Sequence, residues 1–220
     1  MLKTIELITH DFSGDVFIDI GGNVGMWTKE LYDLYDRVLF VEPSSAMEEA
    51  QANIVDPAGK VTYFKNLCSD KPEEKKSIFS VTGGTGNFSV YGKELYGESH
   101  GIKLTEDDID TITIDNNFLP LIKEGEKVTI KVDTEGADLD ILLGGLEFIK
   151  KFKPTIVMEC HFHMYYDEEK FDKISEVLTG LNYDMTEYKM PGYAGPGIVD
   201  GKHTGDEMRD LHYQILMVPK

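Results

Sequence analysis

The chain has 220 residues, 41% of them hydrophobic, a length and composition that fit one domain over 1–220. Its formal net charge of −18 at pH 7 opposes nucleic acids or anionic membranes as partners. It has two cysteines, no signal-peptide core in its first residues and no apolar stretch of the roughly 18 residues that would suggest a membrane span. We therefore expect a soluble, cytoplasmic protein, and the sequence leaves its oligomeric state open.

The first predicted strand, over 16–20, leads through a glycine loop into a predicted helix over 25–34. Gly21, Gly22 and Gly25 allow the backbone to turn tightly and to approach a ligand closely, and Asn23 tolerates left-handed dihedral angles. A loop of this kind predicts a cofactor site. The alternative is a turn that only connects a strand to a helix.

The spacing of this loop is Asp-x-Gly-x-Asn-x-Gly, which differs from the G-x-G-x-x-G fingerprint of a dinucleotide pyrophosphate site. Asp19 ends the strand and offers a carboxylate to an amino-acid group or a ribose. These features favour S-adenosylmethionine as the cofactor, with S-adenosylhomocysteine as its product.

The second predicted strand, over 37–42, ends in Glu42 and Pro43, which places an acid where ribose hydroxyls bind in sheets of this kind. Ser44 is predicted to cap a helix over 44–54, and a third strand follows over 61–66. Alternating strands and helices predict an α/β fold with a mostly parallel sheet.

The segment 77–91, SIFSVTGGTGNFSVY, has two short alternating runs separated by glycines and predicts a hairpin inserted beside the site. Asn87 lies in it and is a candidate for contact with the cofactor or the acceptor, although its neighbouring glycines could simply make turns. The acidic run 106–110 is typical of a solvated surface, and a short apolar run follows over 111–114.

The second half of the chain repeats the strand and helix pattern. The predicted strands and helices are a strand over 128–132 that ends at Asp133, a helix over 137–150, a strand over 155–159, a helix over 171–181, and strands over 183–188 and 211–218. A glycine- and proline-containing loop over 190–207 joins the last two strands and could cover a pocket.

Four blocks of the sequence resemble the FkbM-type family of class I S-adenosylmethionine-dependent methyltransferases. They are FIDIGGNVG at 17–25, VEP at 41–43, IKVDTEGADLDILLGG at 130–145 and KPTIVMEC at 153–160. The resemblance implies a Rossmann-like fold, with a seven-stranded, mostly parallel sheet whose last strand is antiparallel and with helices on both faces. It also implies methyl transfer, typically to a hydroxyl of a sugar or other small molecule.

The resemblance also assigns roles to residues. The methionine and ribose side of the cofactor would contact Asp19, Gly21, Asn23 and Gly25, and Glu42 would bind the ribose hydroxyls. Cys68, Ser69 and Asp70 would flank the adenine, with Asp70 as the expected contact.

A hydroxyl acceptor is a poor nucleophile at neutral pH, so a base near the strand ends would help to remove its proton. The candidates are Asp133, with Glu135 beside it, and His161 and His163 after the fifth core strand. Asp133 could instead be structural or bind the cofactor ammonium, and the histidines could form local hydrogen bonds. A divalent metal held by His-x-His with Glu159 and Asp133 is a further possibility that this spacing does not favour.

Two other functions remain open from the sequence. A nicotinamide-dependent oxidoreductase or epimerase would share the opening strand, glycine loop and acid, but the chain lacks the third glycine and a clear Tyr-x-x-x-Lys helix. A non-catalytic module that binds the cofactor is the other alternative.

Overall fold

The computed structural model describes residues 12–81, 88–91, 102–160, 167–189 and 213–220. Its strands, in chain order, are β1 (Gly14–Ile20), β2 (Tyr35–Val41), β3 (Val61–Phe64), β4 (Leu67–Cys68), β5 (Lys75–Val81), β6 (Phe88–Ser89), β7 (Ile102–Ile112), β8 (Val128–Val132), β9 (Thr155–Cys160), β10 (Tyr183–Lys189) and β11 (Tyr213–Pro219). Its α-helices are α1 (Met26–Leu31), α2 (Ala46–Asn53), α3 (Ile114–Asn117), α4 (Asp138–Leu143), α5 (Leu146–Phe152) and α6 (Glu168–Gly180).

The main sheet has seven strands in the order β10-β11-β9-β8-β1-β2-β3. The pairs β1 with β2, β2 with β3, β1 with β8 and β8 with β9 are parallel, whereas β11 is antiparallel to both β9 and β10. This confirms the predicted mostly parallel sheet with an antiparallel last strand. The chain runs outward from β1 to β3 and returns on the other side of β1 as β8, so the topological switch point lies between β1 and β8.

Alternate residues of the central strands pack on opposite faces of the sheet. On one face, Ile18 and Ile130 belong to a core that includes residues of α4, α5 and α6. On the other face, Phe17 and Phe40 pack with residues of α1 and α2. Because a parallel sheet is buried on both faces, its strands are nearly continuous apolar runs, and this is why the sequence located them well.

A second, smaller sheet has the order β4-β7-β5-β6. The pairs β5 with β6 and β5 with β7 are antiparallel, and the β5–β7 pairing contains register shifts. Strand β7 extends from Ile102 to Ile112. The short run predicted over 111–114 therefore covers only the end of a much longer strand, and its predicted bounds were wrong. The acidic residues Asp108 and Asp110 of β7 stay exposed and form ion pairs with Lys75 on β5, at 3.3 and 3.2 Å. A strand can therefore contain this charged run, because its acidic side chains are not buried.

Several predicted boundaries also differ from the structure. The helix predicted over 137–150 is two helices, α4 and α5, separated at Gly144 and Gly145, where a Cβ on Gly144 would lie 2.2 Å from the backbone oxygen of Ser69. The first predicted helix ends its α-helical part at Leu31 and continues as a 3-10 turn, and β3 ends at Phe64 rather than 66.

Within the described residues, no helix is long and apolar enough to span a membrane.

Candidate active site

A cavity of about 720 Å³ opens at the switch point of the main sheet. Its walls come from the ends of β1, β2, β8 and β9, from the loops that follow β1, β2 and β8, and from the second sheet. Its described lining residues include Gly21, Gly22, Asn23, Trp27, Glu42, Pro43, Glu49, Cys68, Ile78, Phe88, Val90, Lys131, Asp133, Thr134, Glu135 and Glu159. Ligands of open α/β sheets bind at this position.

The glycine loop is held between the ends of β2 and β8. The N–H groups of Gly21 and Gly22 donate to the carbonyl oxygen of Val41 at 3.0 and 3.1 Å. Gly21 has a φ of +73°, and a Cβ there would lie 1.9 Å from the carbonyl oxygen of Asp133. Only glycine satisfies both the dihedral angle and this close approach, so the sequence places backbone, not side chains, at this edge of the cavity.

Glu42 follows β2 and is 5% exposed. Its Oε2 accepts a hydrogen bond from the N–H of Asn23 and its Oε1 accepts one from the N–H of Ser44, both at 2.9 Å. An ionised carboxylate has about four acceptor positions, so this fixed group can still accept hydrogen bonds from a ligand. Helix α2 begins at Ala46, two residues after the predicted cap, and Ser44 Oγ accepts from the N–H of Ala46 at 3.2 Å.

Asp19 is fully buried beneath the glycine loop. Thr28 on α1 donates to its Oδ2 at 2.7 Å, and the ammonium of Lys131 lies 3.3 Å from its Oδ1. Asp19 is therefore an internal anion close to the cavity, and it is not one of the described residues that line the cavity wall.

Lys131, on β8, is a buried cation at the base of the cavity. Its Nζ donates to the carbonyl oxygen of Gly21 at 2.7 Å and lies 3.4 Å from Oδ2 of Asp133. Burial lowers the pKa of this lysine, but the carboxylates of Asp133, Asp19 and Glu159 outweigh burial and leave the pKa above its usual value. The side chain therefore stays charged at physiological pH.

The loop between β8 and α4 carries the predicted acids. Asp133 has a side chain that is 23% exposed, and it lines the cavity. Thr134 donates through its N–H and its hydroxyl to Asp138 Oδ1, at 2.9 and 2.8 Å. Glu135 has a left-handed φ of 52°, and its carbonyl oxygen accepts a hydrogen bond from Ser89 Oγ of β6 at 2.7 Å. The second sheet thus holds this loop in place.

The second sheet also supplies an apolar wall that the sequence did not identify. Ile78 on β5 and Phe88 on β6 line the cavity together with Val90 and Leu67. The only signal in the sequence was the alternating pattern of the predicted hairpin. This pattern placed the segment beside the site, but it did not indicate which of its side chains face the cavity.

Of the three residues predicted to flank the adenine, Cys68 alone is among the described residues that line the cavity. Cys68 lines the cavity and is buried, and burial raises the pKa of its thiol to about 12. The hydroxyl of Ser69 accepts from Lys76 Nζ at 2.9 Å and donates to Asp70 Oδ1 at 3.1 Å. Ser69 and Asp70 are thus linked to each other and to the second sheet.

Other predicted residues lie outside the described part of the chain. They are Asn87, His161, His163 and the loop over 190–207. Within the described ranges, no group of three or more His, Cys, Asp or Glu side chains is arranged to hold a metal ion.

The charge of the cavity restricts its ligand. Among the described residues that line it, five are acids (Glu42, Glu49, Asp133, Glu135, Glu159) and one, Lys131, is a base. The charge of that lysine is already balanced by Asp19 and Asp133. Such a cavity disfavours a pyrophosphate and suits a ligand that is neutral or positively charged. Together with its position in the sheet, this makes the cavity the candidate ligand site of a Rossmann-like fold.

Comparison with solved structures supports this fold. The FkbM methyltransferase from Methylobacillus flagellatus KT aligns with a TM-score of 0.52 and 16% identity, over 93% of this chain and 43% of that one. The methyltransferase domain of bacterial CtHen1 aligns with a TM-score of 0.50 and 11% identity, over 99% and 96% of the two chains.

The present chain thus spans 43% of the length of the Methylobacillus protein. A comparison with curated proteins gives no significant match. The family model of the methyltransferase FkbM domain matches residues 19–185, which is most of the chain. The chain therefore belongs to the FkbM methyltransferase family, and the predicted resemblance is confirmed.

Proposed function

We propose that this protein transfers the methyl group of S-adenosylmethionine to a hydroxyl oxygen of a sugar or another small molecule. The observation that carries the proposal is the Glu42 carboxylate, which the backbone N–H groups of Asn23 and Ser44 fix on the cavity wall at the switch point. A fixed carboxylate at the end of the second parallel strand is suited to accept hydrogen bonds from the two hydroxyls of a ribose.

The residues present fit this cofactor in three respects. Backbone rather than side chains faces the ligand at Gly21 and Gly22, where an added Cβ would meet Asp133 or the ring of Phe40. The acidic lining suits the sulfonium and ammonium groups, which give the cofactor a net positive charge. The buried apolar side of the cavity, at Cys68 and Ile78, suits a flat base.

Residues of this chain would hold the cofactor as follows. Glu42 would bind the ribose, with Pro43 beside it. The methionine and ribose would be bordered by the glycine loop, at Gly21, Gly22, Asn23 and Gly25. Asp19, beneath this loop, would attract the positively charged groups of the cofactor through its own charge. Cys68, Ser69 and Asp70 remain the proposed surroundings of the adenine, and Asn87 remains a proposed contact. When bound, the cofactor supplies an activated methyl group, and the protein mainly aligns the reacting groups.

The acceptor hydroxyl must also lose a proton. Asp133 lies on the cavity wall but is paired with the ammonium of Lys131, and an ion-paired carboxylate is a weaker proton acceptor than a free one. We therefore assign proton removal to His161 or His163, which follow β9 in the chain, and a binding role to Asp133. A side chain, not a divalent metal, is the proposed activator.

The acceptor we propose is uncharged. Asp133, Glu135 and Glu159 can accept hydrogen bonds from hydroxyl groups, and Phe88 offers an apolar surface for the ring of a sugar. A phosphorylated acceptor or a nucleic acid would meet repulsion from these carboxylates and from the net charge of −18.

Calorimetric titration tests the proposal directly. We expect micromolar binding of S-adenosylmethionine and S-adenosylhomocysteine, no binding of NADH, and no effect of EDTA. NADH binding in their place would support an oxidoreductase. A screen of sugars, alcohols and an RNA oligonucleotide, followed by release of S-adenosylhomocysteine, then identifies the acceptor. Binding without turnover on any of them would favour a non-catalytic module.

A further inference from the structure

Lys131 connects two segments of the chain that are far apart in the sequence, the end of β1 with its glycine loop and the end of β8. Its ammonium contacts the carbonyl oxygen of Gly21 in the glycine loop at 2.7 Å, Asp19 on β1 at 3.3 Å and Asp133 after β8 at 3.4 Å. Its side chain is 4% exposed and that of Asp19 is 0% exposed. A lysine of this kind has little access to solvent, so these groups satisfy most of its charge.

We propose that Lys131 is the positioning residue of the cofactor site: its ammonium holds Asp19, Asp133 and the glycine loop together and lets both carboxylates stay ionised. The part of this proposal that concerns ligand binding rests on the proposed function. The electrostatic part concerns the folded protein alone.

The surroundings of Lys131 make the charge essential. The acids that face it are Asp19 from β1, Asp133 from the loop after β8 and Glu159 from β9, and each raises the pKa of Lys131. Thr28 on α1 donates a hydrogen bond to Asp19 but brings no charge. Without the ammonium, two neighbouring carboxylates would repel each other, and two such groups cannot both remain ionised at low cost.

A neutral residue at this position should therefore make the site depend on pH. In Lys131→Met, the buried Asp19 takes up a proton as the pH falls, and the proton replaces part of the lost charge. We expect S-adenosylhomocysteine to bind this variant on the order of 100-fold more weakly than wild type at about pH 8. Binding should recover by about tenfold or more at about pH 5.5, whereas wild-type binding changes little between these values.

Two variants serve as matched controls. Lys60 also donates to backbone carbonyl oxygens, those of Tyr35 and Tyr32 at 3.0 and 3.4 Å, and it is not a lining residue of the described cavity. Lys60→Met should leave the pH dependence of binding unchanged. The double variant Lys131→Met/Asp19→Asn removes the buried carboxylate that would take up the proton, so its binding should not depend on pH.

A second measurement does not depend on the cofactor. The free energy of unfolding by urea should rise in Lys131→Met between about pH 8 and about pH 5.5, relative to wild type, because the folded variant binds a proton that the unfolded chain does not yet bind. The double variant should lack this rise. If Lys131→Met is unfolded at the higher pH, the double variant should still fold.

Each outcome bears on the proposal. Equal weakening of binding at both pH values in Lys131→Met and in the double variant would overturn it, because the lysine would then act only by packing. Wild-type affinity in Lys131→Met would overturn it as well. If wild-type protein does not bind S-adenosylhomocysteine, the proposed function fails. In that case the unfolding measurement alone decides the electrostatic role, and a missing rise overturns it.

Discussion

The backbone N–H of Asn23 donates a hydrogen bond to Oε2 of Glu42 at 2.9 Å, and this contact connects the glycine loop after β1 with the acid after β2. The same carboxylate accepts from the N–H of Ser44 through its other oxygen. One buried side chain thus orders both loops on this side of the cavity. A ligand that reaches Glu42 therefore meets a carboxylate that is already oriented, which lowers the cost of ordering it on binding.

The first prediction concerns this carboxylate. Glu42→Gln replaces one acceptor oxygen with an NH₂ group, which would face the N–H of either Asn23 or Ser44. We expect S-adenosylhomocysteine to bind about 10- to 100-fold more weakly, in line with the loss of hydrogen bonds to a charged group. Calorimetry on the purified variant measures this change.

Glu49 provides the matched control for Glu42. It also lines the cavity but lies exposed on α2, so Glu49→Gln removes the same charge without disturbing either loop. We expect its effect on binding to stay within about twofold, because exposed charges contribute little. An equal loss in both variants would mean that overall charge, and not the fixed geometry of Glu42, determines affinity.

The second prediction concerns the close approach of two loops at Gly21. Gly21→Ala would place a Cβ 1.9 Å from the carbonyl oxygen of Asp133 at a φ of +73°, whereas Gly59 has a φ of +65° and open space around it. Gly59→Ala should cost about 1 kcal/mol of unfolding free energy, from the dihedral angle alone. Gly21→Ala should cost more than about 3 kcal/mol, because the backbone must also move.

Urea denaturation of the two glycine variants gives both values under one condition. The difference between the two losses isolates the close contacts with Asp133 and Thr134, since the dihedral penalty is common to both. Equal losses would show that the β8 end can move away freely, and the site would then be less rigid than the structure indicates. Binding of S-adenosylhomocysteine to Gly21→Ala, where it folds, should be weaker for the same reason.

The sequence predicted which acidic residues directly follow the strands at this edge of the sheet. Glu42 and Asp133 follow buried apolar runs, and such residues meet at one edge of a parallel sheet whatever the details of packing. Lys131 was not identified as part of the site. Its contact with Gly21 spans 110 positions of the chain, and only the pairing of β1 with β8 brings the two together.

The second sheet was predicted poorly for a different reason. The segment that becomes β7 is acidic, and a charged run indicates solvent exposure without indicating a strand. Its pairing with β5 turns the predicted hairpin into a larger sheet. Ile78 and Phe88 of this sheet line the cavity. Local sequence patterns could not identify them as lining residues, because their position depends on how the strands pair.

The third prediction concerns the proposed base. His161→Ala and His163→Ala should leave S-adenosylhomocysteine binding unchanged, and one of them should lower turnover of the acceptor found in the screen by about 100-fold or more. Asp133→Asn is the comparison, and we expect it to weaken binding as well. Release of S-adenosylhomocysteine over time measures turnover. Normal turnover in both histidine variants would return the role of base to Asp133.

The fourth prediction concerns the reactivity of Cys68. This thiol is 4% exposed, and burial raises its pKa to about 12 from an ordinary value of 9.0. Because the thiolate is the reactive form, a disulfide reagent such as DTNB should not modify Cys68 in the native protein at about pH 8. A Cys160→Ser variant leaves Cys68 as the single thiol, which should react only after urea is added. Rapid reaction of the native variant would contradict the buried placement.

The same pKa shift predicts that the folded protein loses stability at alkaline pH. The unfolded chain releases the thiol proton near 9.0, while folded Cys68 keeps it until about 12, so the free energy of unfolding falls as the pH rises through this range. Burial also raises the pKa of Tyr35 and Tyr183, which adds to the fall. Urea denaturation at several pH values should therefore show a smaller decline in Cys68→Ala than in wild type. An identical decline would mean that Cys68 ionises in the folded state as readily as in the unfolded chain.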